Sequence, residues 1–70
     1  MGAGGMVRAG IAGVADLLVV YEGRAIAIEV KTPTGRLSRA QHKWRDAWRK
    51  AGGEYYVARC VADAIKAVFK

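Results

Sequence analysis

Three features of this sequence predict a small α/β fold in the order β-β-α-β-α, with a mixed sheet and helices packed on it. Two apolar runs, Leu17 to Tyr21 and Ala25 to Val30, flank Glu22-Gly23, a two-residue hairpin signal. A 3.6-residue apolar period then runs from Leu37 to Ala51 and stops at Gly52-Gly53. A third β-rich run, Glu54 to Arg59, leads into a second helical spacing over Val61 to Phe69.

The first segment, residues 1 to 12, carries Gly2, Gly4, Gly5 and Gly10 and reads as a glycine-rich lead-in, leaving 13–70 as one domain. Met6-Val7-Arg8 is a candidate edge strand, and Arg8 a candidate phosphate contact. In the hairpin, a Glu22-Gly23 turn sets Tyr21 against Arg24 and, counting outward, Asp16 against Glu29. Alternation along a strand puts Glu29 and Lys31 on one side, which in this register is also the side of Asp16. A loop shifted to Gly23-Arg24 would instead set Asp16 across from Lys31 with Glu29 on the diagonal. Either hairpin gathers the three charges.

After the hairpin, Thr32-Pro-Thr-Gly35 ends the strand, because Pro33 lacks an N–H and holds Thr32 extended. Ser38-Arg-Ala-Gln41 fits a capping box, so a helix is expected from about Arg39. Its apolar stripe is Leu37, Ala40, Gln41, Trp44, Ala47, Trp48 and Ala51, with Trp44 and Trp48 expected as a core pair. The opposite face carries Arg39, His42, Lys43, Arg45, Asp46, Arg49 and Lys50. Such a set is ordinarily a solvated face, and its excess of cations points to phosphate contacts. His42 points about 100° away from Gln41 and belongs to that basic face. The last helix repeats through Val61, Ile65, Val68 and Phe69, with Ala62, Ala64 and Ala67 supplying helix propensity.

Composition narrows the function. Seventy residues form one small domain, and a chain of this size buries only roughly 60% of its unfolded surface, so self-association is expected to supplement its core. The single Cys60 excludes an internal disulfide and, without His or Cys partners at ligand spacing, a structural zinc site. A half-buried thiol is expected there. Twelve Lys and Arg against six Asp and Glu give a net charge of +6, which favours a polyanionic partner. No apolar run approaches the roughly 20 residues of a membrane span, and the amino terminus lacks a secretion signal pattern, so the expected location is the cytoplasm.

Like charges opposite one another destabilise a sheet, so paired carboxylates at Asp16 and Glu29 point to a cation between them. Hard oxygen donors suit Mg²⁺ or Mn²⁺, with the Val30 carbonyl as a third ligand. Phosphodiester hydrolysis needs neutralisation of phosphate charge and an activated water, and Lys31 is suited to orient that water or steady the developing charge. Gln41 is a candidate to position the water from the first helical turn, although its capping role competes for the same side chain.

Three stretches taken in order carry a family resemblance. Gly13-Val-Ala-Asp16-Leu-Leu, Ile28-Glu29-Val-Lys31 and Gly35-Arg-Leu-Ser38-x-x-Gln41 resemble the motifs of the VRR-NUC family, within the PD-(D/E)XK superfamily of restriction-endonuclease-like cores. The similarity runs from about Ile11 to Ala62. It implies a minimal nuclease domain over 13–70, with Asp16 and Glu29 as metal ligands, Lys31 as the catalytic lysine and Gln41 as the assisting helix residue. Compact members, many of them viral or prophage proteins, are similar to homodimeric endonucleases of branched DNA such as four-way (Holliday) junctions. A viral member would work in the host cytoplasm. On this reading Arg8, Arg36, Arg39 and Lys43 are expected to contact DNA. Ala15 stands where many superfamily members carry proline. Fuller members also begin with a helix bearing a further acid, and the first twelve residues here contain none. The alternative implied by that difference is a weak or inactive nucleic-acid-binding module on the same fold.

Overall fold

A computed structural model describes residues 11–69. The expectations for Met6-Val7-Arg8 lie outside the described residues. The elements are β1 (Leu17–Tyr21), β2 (Arg24–Val30), α1 (Arg39–Lys50), β3 (Glu54–Ala58) and α2 (Val61–Phe69), the expected β-β-α-β-α order.

The hairpin takes the first of the two registers. Glu22 and Gly23 both have positive φ (49° and 78°), the type I′ geometry whose twist matches the strands it joins. Tyr21 accordingly pairs with Arg24, and the ladder continues to Leu17 opposite Ile28. β3 pairs with β2 in parallel, from Ile26 opposite Glu54 to Val30 opposite Ala58, giving a mixed sheet of order β1-β2-β3. A parallel pair requires a crossover, and α1 supplies it.

Central β2 is covered on both faces, which explains its unbroken apolar run. Toward α2 lie Ile26, Ile28 and Ala58, packed with Ala67, Ala64, Val68, Val19, Tyr21 and Tyr56. Toward α1 lie Ala27, Tyr55 and Ala15, packed with Leu37, Trp44, Trp48 and Val57. The two indoles stack at 4.9 Å as the expected core pair. Trp48 Nε1 also donates to the Glu54 carbonyl at 2.8 Å. At the turn end of the sheet, Arg24 forks onto the Glu54 carboxylate and donates to the Ala67 and Val68 carbonyls, tying β2, β3 and the end of α2 together.

The helix faces differ from the sequence expectation in two respects. In α2 the side chains against the sheet are Ala64, Ala67 and Val68, whereas Val61, Ile65 and Phe69 are more than half exposed. Small side chains let the helix approach β3 and β2 closely, and Phe69 at its end meets the Tyr21 ring edge-on at 5.0 Å. None of the α1 residues is fully buried; the helix packs mainly over β3, and Leu18 and Val20 on β1 are left exposed. Cys60, expected half-buried, is exposed in the turn between β3 and α2. Among the described residues no helix is long and apolar enough to cross a membrane.

Candidate active site

The carboxyl ends of parallel β2 and β3, the start of β1 and the amino end of α1 all meet at one end of the sheet. In open α/β sheets that is where ligands bind. The hairpin register brings Asp16, one residue before β1, opposite Glu29, near the end of β2. The Asp16 Oδ2 accepts the Val30 N–H at 2.8 Å, replacing the ladder carbonyl that β1 does not extend far enough to provide.

Gly13 fixes the approach of this segment. Its φ is +83°, and a Cβ there would overlap the Ala40 backbone carbonyl in the first turn of α1. Glycine alone lets the segment leading to Asp16 rest on the helix that carries Gln41.

Glu29 is buried, with 3% of its surface exposed. Its Oε2 accepts from Gln41 Nε2 at 2.8 Å and lies 3.7 Å from the Lys31 ammonium. Its Oε1 is buried without a hydrogen-bond partner. A buried carboxylate oxygen left unpaired is costly and calls for an explanation. Burial pushes the Glu29 carboxyl above the ordinary carboxylate range; the charge of Asp16 pushes it further, and Lys31 opposes both.

Gln41 performs both of the roles that competed for it in the sequence. Its Oε1 accepts the Ser38 N–H at 2.8 Å while Ser38 Oγ accepts the Gln41 N–H at 3.1 Å, completing the capping box. The other end of the amide is then free to donate to Glu29.

Asp16, Glu29, Lys31 and Gln41 are thus brought together, and Val30 joins them through its N–H. Arg36, Arg39 and Lys43 are exposed on the loop and first turns beside the cluster; Arg8 lies outside the described residues. His42 is exposed on α1. Two neighbours escaped sequence reasoning. Tyr55 sits on the same face as Glu29, and its buried hydroxyl also lacks a hydrogen-bond partner. Burial pushes its phenol above the ordinary range, and the charge of Glu29 adds to that. Its position follows from the parallel register of β2 and β3, which no short motif encodes. Arg59 ties down the loop that follows Lys31, and only its place immediately after β3 hinted at it.

The donor set consists of hard oxygens, with Asp16 and Glu29 side by side and Glu29 Oε1 unsatisfied. That fits Mg²⁺ or Mn²⁺, whose remaining positions are commonly filled by water. Among the described residues no group of three or more His, Cys, Asp or Glu is placed to hold a metal, so a larger protein cage does not form here. The family model described as the VRR-NUC domain matches residues 6–62. No curated protein and no solved structure matches the chain.

Proposed function

Since the chain belongs to the VRR-NUC family of nucleases, we propose that it is a divalent-metal-dependent endonuclease that hydrolyses phosphodiester bonds in branched DNA. The observation that carries this reading is the buried Glu29 carboxylate, held on one oxygen by Gln41 and Lys31 and unsatisfied on the other, beside Asp16. Asp16 and Glu29, with the Val30 carbonyl as a third oxygen, would hold Mg²⁺ or Mn²⁺, which supplies Lewis-acid neutralisation of phosphate charge.

The chain's own residues divide the remaining work. Gln41 fixes the Glu29 rotamer, so that its free oxygen is presented without a search through conformers. The ammonium of Lys31, anchored 3.7 Å from Glu29 Oε2, steadies the negative charge that grows on the phosphate and orients the attacking water. Arg36, Arg39 and Lys43 supply backbone contacts around the first turns of α1, in keeping with the net charge of +6. Branched DNA as the substrate rests on the resemblance to compact family members. Homodimer formation is supported by the exposed Leu18 and Val20 on edge strand β1, at 55% and 82%.

The test is cleavage of a four-way junction in Mg²⁺ or Mn²⁺. The parent is expected to nick it and Lys31→Ala to lose at least about 100-fold in rate while still binding the junction in Ca²⁺. Equal cutting by both proteins would contradict the assignment. Mass measurement in solution, with and without the junction, reads the assembly.

A further inference from the structure

We propose that Arg59 is a DNA phosphate-binding residue, its guanidinium held by the loop after Lys31 and its remaining donors open to a phosphodiester beside the scissile one. The inference rests on the nuclease reading and adds a substrate contact to it.

One nitrogen of Arg59 does all of the anchoring. Nη1 lies 2.7 Å from the Thr32 carbonyl, 2.8 Å from that of Gly35 and 3.4 Å from that of Pro33. Among the described residues, Nε and Nη2 of the same guanidinium have no partner, and the residue is exposed. The three acceptors are neutral carbonyls, and no carboxylate pairs with the guanidinium within the described residues. Asp63, the nearest acid in sequence, accepts the Arg59 backbone N–H at 2.9 Å instead. That N–H, and to a smaller degree the Arg59 charge itself, hold the Asp63 carboxyl below its usual range; with no ion pair formed among the described residues, the guanidinium is fixed in direction and only partly compensated. A guanidinium prepared in this way matches a phosphate, which accepts paired N–H donors, and loses little side-chain entropy on binding.

Its location fits the same role. Arg59 directly follows Ala58, whose carbonyl accepts the Lys31 N–H at 3.0 Å. The loop it holds is the one that leaves Lys31 and carries Arg36. Arg24 makes the contrast: it also reaches main-chain carbonyls, but its charge is spent on Glu54. Among the described residues, the side chains of Arg36, Arg39 and Lys43 near the cluster make no hydrogen bond, whereas that of Arg59 is held by the loop.

The test is the salt dependence of binding to a fluorescent four-way junction in Ca²⁺, for the full chain, Arg59→Gln and Arg59→Lys. Glutamine keeps an amide donor for the loop carbonyls and removes the charge. One lost phosphate contact is expected to lower the slope of log K against log salt by about 1 and affinity at low salt by roughly five- to tenfold. Arg59→Lys is expected to keep the parental slope. A parental slope in Arg59→Gln overturns the inference, and with parental cleavage intact it leaves the nuclease reading standing. A lowered slope in a protein that binds but never cuts supports the phosphate contact and removes the nuclease reading. If Arg59→Gln fails to fold, Arg59→Met, which also removes the charge, decides: a parental slope in the folded variant overturns the inference. Absence of junction binding by the parent overturns both.

Discussion

Gln41 Nε2 stands 2.8 Å from Glu29 Oε2 while the Oε1 of the same amide accepts the Ser38 N–H. One side chain thus joins the start of a helix to the carboxylate at the end of a strand. The assignment of its oxygen and nitrogen follows from the partners, since a backbone N–H needs an acceptor and a carboxylate needs a donor. The capping box is therefore also a device that points Gln41 at the site.

That linkage can be separated by mutation. Ser38→Ala removes half of the cap and is expected to cost about 1 kcal/mol of stability. Gln41→Ala loses the cap and the Glu29 donor together, so it is expected to lower stability by a similar amount and cleavage by at least tenfold. Chemical denaturation and single-turnover cleavage, measured on the same samples, check both. Equal cleavage by Gln41→Ala and the parent would confine Gln41 to a capping role.

Burial of Glu29 implies a stability cost with a definite pH dependence. Its folded value is raised, so over the window between the ordinary and raised values the native chain holds a proton that the unfolded chain has released. Stability then falls as pH rises through the raised value, and the loss is complete above it. Glu29→Gln keeps an acceptor for Gln41 and carries no charge. It is expected to melt higher than the parent near pH 8, and each 1 kcal/mol recovered moves the midpoint by roughly 4–8 °C in a domain of this size. The difference should shrink toward pH 4. A variant that melts lower at every pH would show that ionised Glu29 carries no penalty.

Gly13→Ala tests how the Asp16 segment is seated. The left-handed φ and the overlap with the Ala40 carbonyl are expected to cost at least about 2 kcal/mol together. Because the displaced segment carries Asp16, cleavage should fall even at temperatures where the variant remains folded. Gly23→Ala is the comparison: its turn has positive φ but open space around it, so it is expected to lose stability without loss of cleavage.

Much of this arrangement was legible in the sequence because short-range rules decide it. Glu22-Gly23 specifies a turn, the turn specifies a register, and the register places Asp16 opposite Glu29. Ser38 and Gln41 mark the helix start to the residue. The buried side of α2 was not legible: Val61, Ile65 and Phe69 have the helical spacing of a core stripe, yet the alanines pack against the sheet. Spacing identifies a helix, but which side it buries depends on how closely it approaches its neighbour. Tyr55 and Arg59 escaped for a related reason, since parallel pairing across a crossover helix sets their neighbours and leaves no local signature. Gln41 could be found by motif, but its simultaneous use of both amide ends required coordinates.

The central claim, that Asp16 and Glu29 form a divalent-cation site, is tested most directly by calorimetric titration of Mn²⁺ into the protein and into Asp16→Ala. The expected result is a saturable binding heat for the parent that disappears in the variant while its circular dichroism spectrum is unchanged. Superimposable titrations of the two folded proteins would contradict the claim.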